Sequence, residues 1–352
     1  MISRLTTQPL VTISFPVYEG DDYMADSINS VLKQDYENLE IIIIDDCGKT
    51  NAMQIVRDCI ERFPKKRNIR ILRQPHNMEQ GPARNRSIDE AKGDYIFFMD
   101  ADDILSENAI SLLVKEILAE EVDFVEGGRR NDSGGFLAQN RCTERQIIKG
   151  ECLFDSIWHN RLSCDFYVTN KLFSISFLRK NNIKCLTPHF DDFHFAMLSF
   201  MKSHSCVVIP DITYINTSRP EQITRTYKRN ITLATAQIVR TFVTEEYKLL
   251  DHWNNSVTRE RAILRNIKLG MPFCYKAFRS KQVCNRFALS MLHDILCYPK
   301  LRKVDHSLFS NYEKSKHRYY KAIQSMPYTL RLLAAIAVNF SSYWLKERKA
   351  AV

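Results

Sequence analysis

Carboxylates dominate the residues able to do chemistry, and they come in tight groups. Asp45-Asp46 follows the apolar run LEIIII, Asp100-Ala101-Asp102-Asp103 follows YIFFM, and Asp191-Asp192 precedes the apolar stretch Phe195 to Met201. Like charges this close repel one another unless a cation or hydrogen-bond donors offset them. An Asp-x-Asp pair at a strand end presents oxygens that a hard divalent cation can share with phosphate. One such pair could simply cap the helix expected after Ser106, but acids at two strand ends are more than a cap requires. Asp191 and Asp192 can sit at a helix N-terminus, where backbone N–H groups favour an anion, and capping alone is their plainer role. His189-x-Asp191-Asp192-x-His194 also has metal-like spacing, a minor alternative. Neither GxGxxG nor GxxxxGK[ST] occurs, which removes the phosphate cradle of a dinucleotide dehydrogenase or a P-loop NTPase.

The elements that must position these acids alternate. Leu10 to Phe15, Leu39 to Ile44, Ile69 to Leu72, Tyr95 to Met99 and Val122 to Val125 are short and β-rich. Between them, Tyr23 to Gln34, Ala52 to Phe63, Pro82 to Ala91 and Ile110 to Leu118 have apolar residues at helical spacing. This rhythm predicts a doubly wound, mostly parallel sheet. Ligands on such sheets bind beyond the carboxyl ends of the strands, where the acids lie. A DxD phosphohydrolase would need a nucleophilic Asp after the first strand, and that strand ends in Pro16-Val17-Tyr18-Glu19.

Composition narrows the class further. The 352 residues are 45% hydrophobic and 26% charged, which excludes disorder as the main theme. Ten cysteines form no CxxC pair, so a zinc ribbon or thioredoxin motif is not expected, and free thiols suit a reducing cytosol. Met1 to Pro9 is polar, so no secretory leader is expected. No run of about 20 apolar residues predicts a membrane span. Net charge is −7 over residues 1–215 and +16 over 216–352. The basic back third fits a solvated face, an anionic membrane surface or nucleic acid; nucleic-acid binding by that part alone would be steeply salt-dependent. Its expected helices are 230–250, 259–278, 284–297 and 328–345. The last, with basic flanks and Tyr343-Trp344, suits a membrane interface through 327–349, or packing on the catalytic domain or a second copy, as in a homo-oligomer.

The motifs Val11 to Tyr18, Ser27 to Gln34, Ile43 to Asp46, Asn77, Gly81 to Asn85 and Asp100 to Asp103, in that order, resemble the nucleotide-sugar-binding half of family 2 glycosyltransferases of the bacterial surface-polysaccharide type. A weaker resemblance continues through Asn170 to Phe173, Phe190 to Asp192, and Tyr214 with Arg219-Pro220. The usual Asp-Asp-Gly-Ser reads Asp45-Asp46-Cys47-Gly48, and the usual Glu-Asp reads Asp191-Asp192. The resemblance implies a Rossmann-like GT-A catalytic domain over 1–226, followed by a basic, mostly helical region over 227–352. It implies inverting, metal-dependent transfer from a nucleotide-sugar, a UDP-sugar by preference, to a saccharide or lipid-linked saccharide in capsule, lipopolysaccharide or teichoic-type synthesis. The enzyme would be cytoplasmic, peripheral on the inner membrane face, with no nucleic-acid partner. A nucleotide-sugar-binding scaffold with a degenerate site is the alternative.

Residue by residue, the resemblance puts Pro16 and Tyr18 at the nucleobase, with Glu19 beside them. Asp46 would accept from the uracil imide, and Asn77 would read the base edge. Arg84 would hold Asp100 or a phosphate, Asp100 would touch the ribose, Ala101 would belong to the nucleotide-sugar site, and Asp102 would ligate Mn2+ or Mg2+. Asp192, or else Asp191, would be the general base. Ser218, Arg219 and Thr224 are candidates for a phosphate-contacting loop. Gly127-Gly128-Arg129-Arg130 either meets the sugar or forms a strand-end turn. The sugar itself is not legible.

Overall fold

The computed structural model describes residues 8–132, 142–159, 162–186, 191–217, 231–280, 282–297, 301–302, 307 and 309–326. The chain divides into two compact units, Met1–Ser218 and Arg219–Val352.

The first unit is built on a nine-stranded mixed sheet. Its parallel half consists of β1 (Val11–Val17), β2 (Leu39–Asp45), β3 (Asn68–Arg73) and β4 (Tyr95–Phe98), joined by α1 (Asp21–Leu32), α2 (Ala52–Arg62) and α3 (Gln80–Glu90). Strands β1 and β2 are buried along their whole length, as expected where helices cover both faces of a parallel sheet. Val11, Ile13, Phe15, Ile41 and Ile43 pack with Met24, Ile28 and Val31 of α1. Pro16 lies inside β1, opposite Ile44, rather than ending it.

The rest follows as β5 (Ile104–Leu105), α4 (Ala109–Glu120), β6 (Phe124–Asn131), β7 (Gln146–Lys149), α5 (Leu153–Trp158), β8 (Lys171–Ser174), α6 (Ile175–Lys180), α7 (Asp191–Lys202) and β9 (Ser205–Asn216). The strand order is β3-β2-β1-β4-β8-β6-β9-β5, with β7 also on β9. Strand β8 runs antiparallel to both β4 and β6. The doubly wound expectation therefore holds for β1 to β4, and a reversed strand separates that half from β6. Strand β6 reaches Asn131, so Gly127 to Arg130 is strand. Gly127 meets Thr213 and Gly128 the Pro210 carbonyl, where a Cβ would collide. Ser106 does not cap α4: Asn108 holds that position, and the Ser106 hydroxyl donates to the Ile212 carbonyl.

The second unit is helical: α8 (Leu233–Asp251), α9 (Ser256–Arg279), α10 (Asn285–Cys297) and α11 (Asn311–Ser325). The Thr232 hydroxyl caps α8, and Ser310 with Glu313 forms a capping box on α11. Gly270 lets α9 approach Ile295 closely, since a Cβ there would stand 2.7 Å from the isoleucine Cδ1. Buried Glu260 accepts from the Arg259 guanidinium, and its other oxygen pairs with buried His317. Among the described residues no helix is long and apolar enough to cross a membrane. The segment 327–349 lies outside them.

Candidate active site

The carboxyl ends of β2, β1 and β4 lie side by side, so Asp46, Tyr18 and Asp100 emerge along one edge. Two inter-strand steps separate β2 from β4, about 10 Å at the usual spacing.

On the β2 side, Asp46 is buried and spans the loop that leads into α3. One carboxylate oxygen accepts the Met78 N–H at 2.8 Å and the other the Glu79 N–H at 2.9 Å. Burial pushes its carboxyl up, and the two amides pull it back. The exposed Asn77 also accepts from the Glu79 N–H, at 3.0 Å. Glu79 takes a positive φ of 72°, which turns the chain into α3. The departure at Cys47-Gly48 has a geometric reading. Cys47 adopts the left-handed conformation (φ 59°), while Gly48 presses on the Tyr18 carbonyl so closely that no Cβ fits. The positive φ and the missing side chain are thus supplied by two neighbouring residues. Tyr18, at the end of β1, is 40% exposed, and Glu19 beside it is half-buried.

On the β4 side, α3 delivers Arg84 into a fully buried position. Its guanidinium donates to Asp192 at 2.7 Å and to Asp100 at 2.5 Å. Asp100, after β4, and Asp192, on α7, lie 92 positions apart and are thus tied through one planar group of fixed geometry. Asp192 and Asp100 keep 29% and 22% of their side-chain surface exposed.

Asp100, Asp102 and Asp103 have ligand oxygens within 4.8 Å of one another. Asp103 is committed elsewhere. Its oxygens accept from Asn216 at 2.9 Å and from the Thr217 N–H at 3.0 Å. Burial first, then the charges of Asp102 and Asp100, push its carboxyl up to about 8. Asp102 and Ala101 are half-buried, and the Thr217 hydroxyl donates to the Asp102 carbonyl. An all-oxygen donor set fits a hard divalent cation, with the half-exposed Asp102 and Asp100 better suited to it than the saturated Asp103.

The acidic loop is braced by Tyr214 and Lys171, which in sequence are only parts of matched stretches, by Arg129, whose sequence reading is a sugar contact or a turn residue, and by Asp165 and Glu126, which no motif marks. The Tyr214 hydroxyl accepts the Asp100 N–H at 3.1 Å. Arg129 lies 4.6 Å from the Tyr214 ring centroid and donates to Asn216 at 3.0 Å, to Thr169 and to Asp165. Asp165 also accepts from buried Lys171 at 2.5 Å, and Glu126 lies 3.1 Å from the same ammonium. Burial, and then the Asp165 charge, push Glu126 up to about 7, whereas Lys171 and Arg129 hold the equally buried Asp165 below its usual range.

Of the residues anticipated from sequence, Arg84, Asp100 and Asp192 come together directly, and Asp102 joins through the acidic cluster. Asp46 and Asn77 meet at the entry to α3, and Pro16, Tyr18 and Glu19 lie between the two groups on β1. Asp191 begins α7, its side chain outside the described residues. Pro188 to Phe190, Ser218, Arg219 and Thr224 also lie outside them. His194 is buried within α7.

The glycosyl transferase family 2 model matches residues 12–206. The chain belongs to that family. Glycosyltransferase GlyG of Streptococcus pneumoniae is 31% identical over 147 residues, covering 40% of this chain and 48% of that protein. The Escherichia coli UDP-Glc:alpha-D-GlcNAc-diphosphoundecaprenol beta-1,3-glucosyltransferase WfgD is 30% identical over 193 residues, covering 51% and 74%. The chain spans about half the length of the first curated relatives it matches. Among solved structures, S. aureus TarS 1-349 in complex with UDP-GlcNAc superposes with a TM-score of 0.67 at 16% identity, covering 95% of this chain and 92% of that one. That likeness bears on the fold and bears out the GT-A expectation.

Proposed function

We propose that this chain is an inverting glycosyltransferase that moves a sugar from a UDP-sugar to a hydroxyl of a saccharide or lipid-linked saccharide in surface-glycan synthesis. The observation that carries the reading is the Arg84 bridge. It holds a carboxylate of α7 beside the Asp-x-Asp loop, as an enzyme needs when a base must face the anomeric carbon from the side opposite the leaving diphosphate. WfgD, by its name a UDP-glucose enzyme with a lipid-linked diphosphate acceptor, supports the donor and acceptor classes.

In this mechanism Tyr18 stacks on the nucleobase, with Pro16 and Glu19 shaping the pocket. Asp46 accepts a hydrogen bond from the imide N–H while it holds the loop carrying Asn77. Asp100 and Ala101 orient the ribose. Asp102, with Asp100, would hold Mn2+ or Mg2+, which neutralises diphosphate charge when bound. Asp192 takes the acceptor proton, and Asp191 stands next to it on the same helix end. Arg84 keeps the Asp192 carboxylate aimed. A peripheral position on the inner face of the cytoplasmic membrane, through 327–349, would bring a lipid-linked acceptor within reach.

The test is UDP release from a panel of UDP-sugars with lipid and saccharide acceptors, with Mn2+, Mg2+ or EDTA. Release from one donor that EDTA abolishes is the expected result. No release from any donor, together with no UDP binding by calorimetry, would overturn the proposal.

A further inference from the structure

Among the described residues, the large apolar side chains that remain exposed include two aromatics, Tyr18 at 40% and Tyr167 at 38%. Both lie on the same edge of the sheet. Strand β8 is antiparallel to β4, with Leu172 opposite Phe97 and Ser174 opposite Tyr95. The loop that enters β8 therefore sits at the carboxyl end of β4, beside Asp100. Tyr18 stands on the other side of β4, at the end of β1.

Tyr167 is held rigidly although it is exposed. Its N–H donates to Asp165 at 3.0 Å and its carbonyl accepts from the Lys171 ammonium at 2.8 Å. Both partners belong to the buried charge cluster, so the backbone on either side of the ring is pinned. The Arg129 guanidinium lies 5.0 Å from the Tyr167 ring centroid and 4.6 Å from that of Tyr214, whose hydroxyl accepts the Asp100 N–H. The preceding residue, Phe166, stacks on Phe193 with centroids 4.7 Å apart and planes 17° from parallel. Phe193 follows Asp192. Tyr167 is thus linked to the acidic loop through Arg129 and Tyr214, and its neighbour Phe166 is linked to α7 through Phe193, the residue after Asp192.

A pinned, half-wet aromatic ring, whose chain neighbour Phe166 stacks on the residue after Asp192, is suited to a ligand with one apolar face and a polar rim. A pyranose with equatorial hydroxyls has that shape: its axial C–H bonds form the faces and its hydroxyls the edge. We infer that Tyr167 is the stacking platform for the acceptor sugar, orienting one pyranose ring so that a rim hydroxyl meets Asp192. The inference rests on the glycosyltransferase reading and adds to it the residue that selects the acceptor. The ring is already immobilised, so stacking costs little further ordering of the protein.

Saturation-transfer NMR on the full chain with UDP and Mg2+ tests this, using the methyl β-glycosides of glucose, galactose and N-acetylglucosamine as probes. Wild type should transfer saturation to UDP and to the axial ring protons of at least one glycoside. Tyr167→Ala should lower the glycoside signal roughly fivefold, as expected for losing one aromatic contact, and leave the UDP signal in place. Tyr167→Phe should keep both. A glycoside signal unchanged in Tyr167→Ala, or absent from wild type that binds UDP, overturns the inference. Loss of UDP signal in every protein would instead sink the donor reading, and the platform with it.

Discussion

Arg84 and Arg129 are both guanidinium groups sealed from solvent, yet their surroundings differ in kind. Arg84 joins two carboxylates that each keep part of their surface in water, on elements far apart in the chain. Arg129 joins Asp165, itself 1% exposed, in a cluster that includes Lys171 and Glu126, both fully buried. A buried ion pair is costly to break from one side, because it leaves an uncompensated charge in a poorly polarisable medium. The Arg129 cluster is therefore a fixed frame. Around Arg84, water and ligands can compete for the carboxylates, which suits groups that must exchange partners in a reaction cycle.

Substitutions should separate the two centres. The largest expected effect is on turnover: Asp192→Asn should lower it by about 10²–10⁴-fold, the usual range for a general base, with little change in the urea midpoint. Equal activity in Asp192→Asn would move the base to Asp191. Lys171→Met should do the reverse and cost about 3–5 kcal/mol of stability by urea denaturation, because it removes the ammonium beside Glu126 and leaves Asp165 with Arg129 as its one charged partner among the described residues. A cost below about 1 kcal/mol would mean that water reaches the cluster. Arg84→Lys keeps the charge but cannot span Asp100 and Asp192 in one plane. Turnover should fall on the order of tenfold, about the value of one charged hydrogen bond, and an unchanged rate would mean that the bridge does not position the base.

The smallest effect concerns pH. Glu126 is held at about 7 in the folded chain, above its ordinary 4.5, because burial outweighs the Lys171 ammonium. The folded state therefore keeps a proton that the unfolded state has lost. The stability this confers is fully present below about 4.5 and is lost as pH rises through 7. Glu126→Gln should flatten that slope between pH 5 and pH 8 in urea titrations, and an unchanged slope would assign it to another group.

How much of this was legible in the sequence follows from what each part is made of. The strands β1 to β4 are apolar runs separated by helices of regular period, and their acidic ends are contiguous in the chain. Asp46, Asp100 and Asp102 could thus be placed at strand ends from sequence, whereas Arg84 came only with the family resemblance. Strand β8 is four residues long and begins with a buried lysine. Strand β9 carries Pro210-Asp211 in its middle. Neither has the periodicity of an ordinary strand. Glu126, Arg129, Asp165 and Lys171 are residue types that normally face water, and only pairing across up to 45 positions explains their burial. Asp103 belongs to the acidic run Asp100 to Asp103, whose oxygens the sequence offers to a cation. Asn216 and Thr217 claim its oxygens instead, a contact between segments 113 residues apart or more.

The placement of β8 between β4 and β6 also governs how the chain emerges from the ribosome. The apolar edge of β4, Ile96 to Phe98, can take β1 on one side as soon as residue 98 has emerged from the ribosome. Its other neighbour, β8, ends at Ser174, so that edge stays unpaired while about 75 further residues are translated. Strand β6 appears in the interval but does not pair with β4 in the native order. An open hydrophobic edge of this kind is a template for association with other nascent chains. Slow synthesis between codons 100 and 174 should therefore harm the yield of soluble protein more than an equal delay in the helical unit.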